Sequence, residues 1–409
     1  MRIGLQTWGT EGDVAPFAAL AEALLRAGHQ VTLVYTALDD RELPPCSAAI
    51  TVHRVGGPFG RARDPYALVR STSRHRQLRA LLAAFHEPLA GPLLEAGEAL
   101  CRANDLVVGH MLNRTLHTAA VRTGTPRVSV AFSPQAIPGA LPPLGRSWGR
   151  AVDAALWRMG DAAMTRTLYP VSDRLHRDRG LAPVRSLLTE VFASPLLHLV
   201  AASPALVPEV RMPQVRVTGA WTAALLPAEL PPDLEAFLRE GPPPVFLTFG
   251  SCTGFSAQVS GRLMVEAAAL AGVRAVVQAD PAHCPRTGGR DLVVVPRAPH
   301  ALLFPRCAVV VHHGGAGTVH AVARAGVPSV VVPHGYDQDW WAGRLHALGA
   351  APRPLPRRRT TAKALAAAVR QVLDTPRYAQ AAERLRGAMA GEGGTDAAVA
   401  AIERCGLPG

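Results

Sequence analysis

The sequence predicts an α/β protein of two doubly wound domains, each built on a parallel sheet. Two β-loop-α-β starts carry that expectation, one at the amino terminus and one at Val245. A run with six prolines, Leu225–Pro244, separates them and reads as a linker. At 409 residues the chain is long enough for two cores. Its 48% hydrophobic and 18% charged residues place it among globular rather than disordered chains.

Taken in order, Arg2–Thr7 is a strand, Trp8–Asp13 a loop and Val14–Ala27 a helix. Leu20, Leu24 and Leu25 share one helical face, and Gly28 closes the helix. Val31–Tyr35 is the next parallel strand, and Leu106–Gly109 and Arg127–Phe132 continue the sheet. Helical or irregular stretches lie between and after them, at Tyr66–Phe85, Pro88–Arg102 and Arg150–Tyr169. Beyond the linker, Val245–Phe249 is a strand, Gly250–Gly254 a turn and Gln258–Ala271 a helix. Ala275–Gln278 and Leu292–Val295 are further strands. A helical tail, Ala379–Arg404, ends the chain. The domain bounds expected are therefore 1–224, a linker 225–244, a second domain 245–378, and a tail 379–409.

Charge and cysteine usage narrow the function classes. The net charge of +12 is almost wholly arginine, with Lys363 the single lysine. Arginines cluster at Arg70, Arg74, Arg76 and Arg79 and again at Arg353 and Arg357–Arg359. These read as solvated faces, with contact to an anionic acceptor or a membrane surface as the other reading. No aromatic-rich basic platform accompanies them, which argues against nucleic acid as a partner. No apolar run approaches the roughly 20 residues that span a bilayer. The first strand starts at once, leaving no room for a signal peptide, and the six cysteines are widely spaced. A cytoplasmic protein with reduced thiols is expected.

The segment Val309–Gln338 is the most informative for function. A β-branched strand, Val309–Val311, leads into His312-His313-Gly314-Gly315-Ala316-Gly317, and Thr318 starts a helix. Pro328–Pro333 then forms a second strand. A glycine-rich turn at a helix N-terminus, at the carboxyl end of a parallel strand, is suited to a diphosphate. His312 and Thr318 can add side-chain donors, although a histidine after a buried strand can also be structural. An Asp337-Gln338 turn follows, which binds a ligand or simply caps a helix.

The ordered set His312–Thr318, Gly326-Val327-Pro328 and Asp337-Gln338 resembles the donor-binding signature of family 1 nucleotide-sugar glycosyltransferases of GT-B fold. The likeness is strongest to bacterial enzymes that glycosylate natural products. It implies two Rossmann-like domains facing a central cleft, with the last helix crossing back to the first domain. It assigns His312, Gly315, Ala316, Gly317 and Thr318 to the diphosphate, with Gly250 and Ser251 touching it from the opposite side. His313 is given a packing role. Asp337 and Gln338, with His334 beside them, fall to the donor sugar.

Two departures bear on the nucleoside. The glutamate that often follows the histidine by eight residues is His320 here, as in some glycopeptide-antibiotic glycosyltransferases. The stacking tryptophan is missing from Val294-Val295-Pro296-Arg297, so Val295 and Arg297 are expected to meet the base. Both dTDP- and UDP-sugars stay open as the co-substrate, and no further cofactor is implied.

At the amino terminus, Glu11-Gly12-Asp13-Val14-Ala15-Pro16 resembles the R-G-D-V-x-P motif of glycopeptide and sterol glycosyltransferases, with Glu11 in place of arginine. The likeness makes Asp13 the candidate catalytic base; the plain reading is a helix cap. His110, at a strand end, is a second candidate that could pair with Asp13, or is a partly buried loop histidine. With no DxD-type cluster to hold a metal, the implied activity is inverting, metal-independent transfer to a hydroxyl of a small hydrophobic or polycyclic natural product, by a monomer or homodimer. The rivals are a nucleotide-sugar epimerase, a transferase to a lipid-linked acceptor at a membrane surface, and a non-catalytic auxiliary homologue.

Overall fold

The computed structural model describes all residues except 39–42, 44, 57–73, 144, 211, 223–228, 251–256, 286–289 and 406–409, and excepting the side chains of 74–75, 169–173 and 257. The chain divides into two compact units, residues 1–224 with 392–409, and residues 225–391.

In the first unit β1 (Arg2–Gly9) is buried from Ile3 to its end. α1 (Glu11–Arg26) follows, with Thr10 as its N-cap. The expected loop over Trp8–Asp13 is therefore shorter: Trp8 and Gly9 pair with Thr36 and Ala37 of β2 (Gln30–Ala37), and the helix starts at Glu11. β3 (Thr51–Arg54), α2 (Arg74–Leu81), α3 (Ala90–Ala103), β4 (Leu106–His110), α4 (Arg114–Thr123) and β5 (Arg127–Ala131) come next. A 28-residue helix α5 (Arg150–Arg177) precedes β6 (Leu197–Val200) and β7 (Val215–Val217). The sheet runs β3-β2-β1-β4-β5-β6-β7, all parallel. The strand order reverses at β1/β4, where such sheets bind ligands beyond the carboxyl ends of the strands.

The second unit begins with α6 (Pro232–Arg239), and here the linker expectation is corrected. Leu234, Phe237 and Leu238 of α6 enter a core with Phe246, Val276, Val310 and Val322. Prolines at the helix start do not break it, because a first-turn N–H has no intrahelical partner. Then come β8 (Val245–Thr248), α7 (Ala257–Ala271), β9 (Ala275–Gln278), β10 (Leu292–Val295), α8 (His300–Leu303) and β11 (Val309–His312). α9 (Ala316–Ala325), β12 (Ser329–Val331), α10 (Gln338–Ala347) and α11 (Ala362–Leu373) complete the α/β part. The parallel sheet β10-β9-β8-β11-β12 has its own reversal at β8/β11.

The tail is also corrected. It is two helices, α12 (Pro376–Met389) and α13 (Gly394–Arg404), parted at Gly391-Glu392-Gly393. α12 stays with the second unit against α9, and only the chain from Glu392 joins the first. There Ala398, Val399 and Ile402 share a core with Phe17, Leu20 and Trp221. Glu403 meets His29 at 3.2 Å. Gly394 has φ +51°, and a Cβ on Gly219 would lie 3.0 Å from its amide nitrogen, so the two backbones touch.

Candidate active site

At the β1/β4 reversal Asp13 occupies the third position of α1 and reaches back to the N-cap. The Thr10 amide donates to Asp13 Oδ2 at 2.9 Å and the Thr10 hydroxyl lies 3.3 Å from the same oxygen. The Thr7 hydroxyl donates to the Asp13 carbonyl at 3.0 Å. This is the carboxylate half of a capping box, so one carboxylate oxygen holds the turn. Gly9 makes room for it: at φ +146° a Cβ there would stand 2.2 Å from Asp13 Oδ2. Only glycine fits between the strand end and the carboxylate.

His110 ends β4, with its ring flat on Phe132 at 5.2 Å. Burial depresses its pKa to about 4, so the imidazole is neutral. Nδ1 has no hydrogen-bond partner, an arrangement that costs stability inside a protein.

At the β8/β11 reversal the two adjacent histidines have opposite environments. His312 is fully buried, with Nε2 3.0 Å from Ser329 Oγ and Nδ1 accepting the Gly314 amide at 3.1 Å. Because Nδ1 accepts, the proton sits on Nε2, and burial lowers the pKa to about 3. Both nitrogens hydrogen-bond within the turn at which the diphosphate is expected to bind. His313 was expected to pack, and it does fill space between two glycines. A Cβ on Gly250 would be 2.7 Å from its Cε1, and one on Gly315 2.4 Å from its Nε2. Its Nδ1 is buried without a partner, and burial holds its pKa well below the usual imidazole value. Nε2 lies over Gly315, the N-cap of α9.

The N-cap of α9 is Gly315, which has no side chain of its own to cap the helix. The amides of Ala316, Gly317 and Thr318 are the first-turn N–H groups that a helix leaves without internal partners. Gly317 is exposed, and a Cβ there would meet nothing within 4 Å. Positive helix-dipole potential and free space coincide at this point. Ser251 lies outside the described residues; Gly250 before it has φ +56°.

After β12 the chain turns sharply through His334–Gln338. Gln338 Oε1 accepts the amides of His334 at 2.8 Å and Gly335 at 3.2 Å. Asp337 accepts the Trp341 indole N–H at 2.9 Å. His334 Nδ1 donates to the Val332 carbonyl at 2.7 Å and its ring tilts on Phe249, with a pKa depressed to about 4, chiefly by burial. Tyr336, at φ +57°, is the one non-glycine residue with positive φ among those described. Strain of this kind gathers at ligand sites. Sequence reasoning missed Tyr336 and Ser329; only a Gly-Tyr pair after Pro333 hinted at the first.

The residues expected at the nucleoside divide. Val295 is buried at the end of β10, whereas Arg297 is exposed. His320 turns inward: its Nδ1 donates to the Ala316 carbonyl at 2.6 Å and its ring meets Trp341 edge-on at 5.0 Å. Among the described residues no three His, Cys, Asp or Glu side chains converge as a metal would need.

Residues 262–403 match the C-terminal domain family of erythromycin biosynthesis protein CIII-like proteins. The chain is 34% identical to the O-mycaminosyltylonolide 6-deoxyallosyltransferase of Streptomyces fradiae, over 98% of this chain and 97% of that one. It is 33% identical to the vancomycin aglycone glucosyltransferase of Amycolatopsis orientalis, over 98% and 96%. Its fold is similar to the crystal structure of glycosyltransferase VinC in complex with dTDP, with TM-score 0.68, 22% identity and 99% of each chain covered. Two parallel-sheet units with ligand-type loops at both strand reversals, in a chain alike end to end with these enzymes, make this protein a GT-B glycosyltransferase of the antibiotic-biosynthesis family.

Proposed function

We propose that the protein transfers a sugar, with inversion and without a metal, from a dTDP- or UDP-sugar to a hydroxyl of a hydrophobic or polycyclic natural product. The observation that carries this is the start of α9 at its glycine N-cap, with Gly317 open to solvent and His313 Nε2 over Gly315. A departing diphosphate gains negative charge, and preorganised N–H donors stabilise that charge most in the transition state. In this reading the amides of Ala316, Gly317 and Thr318, the Thr318 hydroxyl and His313 Nε2 take the diphosphate. His312 is a positioning residue that fixes the turn through Ser329 and Gly314. Asp337 and Gln338 hold the sugar-side turn, and in this reading the Asp337 carboxylate accepts from the sugar hydroxyls while the Gln338 amide NH2 donates to them. The dTDP-bound structural neighbour favours dTDP over UDP.

Asp13 is read as the base. One oxygen holds Thr10, and the carboxylate takes the proton of the acceptor hydroxyl. The hydroxyl oxygen bonds to the anomeric carbon as the carbon–oxygen bond to phosphate breaks, and the electron pair leaves with the nucleoside diphosphate. Attack opposite the leaving group inverts the anomeric centre. The test is a screen of dTDP- and UDP-hexoses against macrolide and polyphenolic aglycones, with product configuration read by NMR. Inverted glycoside formed at full rate in EDTA is expected. Retained configuration, or activity lost on chelation and restored by Mg²⁺ or Mn²⁺, contradicts the mechanism.

A further inference from the structure

Three of the eight large apolar side chains exposed among the described residues fall within one short segment. Trp148, Val152 and Met159 are 48%, 47% and 68% exposed, before and along α5. Val152, Met159, Ala163 and Arg166 follow one another at steps of seven, four and three, which places them on one face of the helix. All four are exposed. The opposite face is engaged: Trp157, Met164 and Leu168 pack in a core with Trp8, Met111 and Ala131.

Charge on this segment is one-sided. Arg146, Arg150, Arg158 and Arg166 are exposed. The two carboxylates in the same stretch are tied down locally. Asp153 accepts the Ser147 hydroxyl at 2.5 Å and the Trp148 amide at 3.1 Å. Asp161 accepts the Ser186 hydroxyl at 2.5 Å and the Leu188 amide at 3.1 Å. α2 packs beside α5 and adds exposed Arg76 and Arg79. A tryptophan and aliphatic side chains edged by cations, with Asp153 and Asp161 held in local hydrogen bonds, suit the headgroup boundary of an anionic bilayer.

We propose that the outer face of α5 docks the first unit on anionic lipid, with Trp148, Val152 and Met159 entering the headgroup region and the arginines meeting lipid phosphates. No helix among the described residues is long and apolar enough to cross a membrane, so the contact is peripheral and reversible. It does not depend on the assignment of the catalytic residues.

The experiment is co-sedimentation of the full chain with vesicles of phosphatidylcholine alone and of phosphatidylcholine mixed with phosphatidylglycerol. Binding to the mixed vesicles only, weakened by salt, is expected. Replacing Trp148, Val152 and Met159 together by serine should abolish it while leaving thermal stability unchanged. Arg158→Gln with Arg166→Gln should weaken it by roughly fivefold for each charge removed. Three results overturn the proposal: no sedimentation with either vesicle, sedimentation unaffected by both variants, or a homodimer that the serine variant dissociates, which would make a second copy the occupant.

Discussion

His312 and His313 are chemically identical neighbours whose roles are set by what surrounds each ring. His312 has spent both nitrogens on Ser329 and Gly314, whereas His313 keeps Nε2 over the start of α9. His313→Ala should lower turnover on the order of 10², the usual effect of deleting one electrostatic donor, and His313→Gln should recover part of it. His312→Ala should lower melting temperature and turnover together, because it removes the brace of the turn. Near-normal turnover in folded His313→Ala, with a large loss in equally stable His312→Ala, would return the phosphate contact to His312. Asp13→Asn separates base from cap. The asparagine carbonyl oxygen still accepts the Thr10 amide, so the fold should hold and nucleotide affinity should stay unchanged, while glycosylation falls away. A variant that glycosylates normally moves the base to His110, whose Nδ1 is unpartnered.

At the scale of elements, Gly317 offers a test in which stability and binding move in opposite directions. Nothing lies within 4 Å of a Cβ at that position, and its backbone is helical. Gly317→Ala should therefore leave stability unchanged or raise it by about 0.5–1 kcal/mol, since alanine loses less entropy in a helix. The added methyl group stands where a phosphate would approach, so dTDP affinity should fall in an isothermal titration; unchanged affinity would mean that the anion sits elsewhere. Much at this scale was legible in the sequence. β9 and β10 have the bounds that their apolar runs predict, and the glycine-rich turn announces α9. Edge strand β3 was not legible because its four residues are exposed and carry no apolar run. The split of the tail was written in Gly391-Glu392-Gly393-Gly394, but helical periodicity on either side hid it. Side-chain commitments such as His312 to Ser329, or His320 to Ala316, depend on tertiary placement that one-dimensional spacing does not carry.

Over the whole molecule, buried neutral histidines set the response to acid. Burial lowers the pKa values of His86, His198 and His312 to about 3, and of His110, His320 and His334 to about 4. Each binds a proton in the unfolded chain near pH 6.5 but not in the folded one. Their stabilisation is complete above pH 6.5 and is lost as pH falls toward 3–4, at up to about 1.4 kcal/mol per pH unit for each group. Denaturant midpoints should thus drop steeply between pH 6.5 and 4; a flat profile there would show that the imidazoles are not buried as described. The central claim, that the second unit binds a nucleoside diphosphate at the start of α9, is tested most directly by the melting temperature in dTDP, UDP and inorganic phosphate. A ligand that binds only the folded state stabilises it by RT ln(1 + [L]/Kd). The wild-type chain should melt higher with dTDP or UDP, with or without EDTA, and the shift should shrink in His313→Ala and Gly317→Ala. No shift with either nucleotide, or one that both variants keep in full, would contradict it.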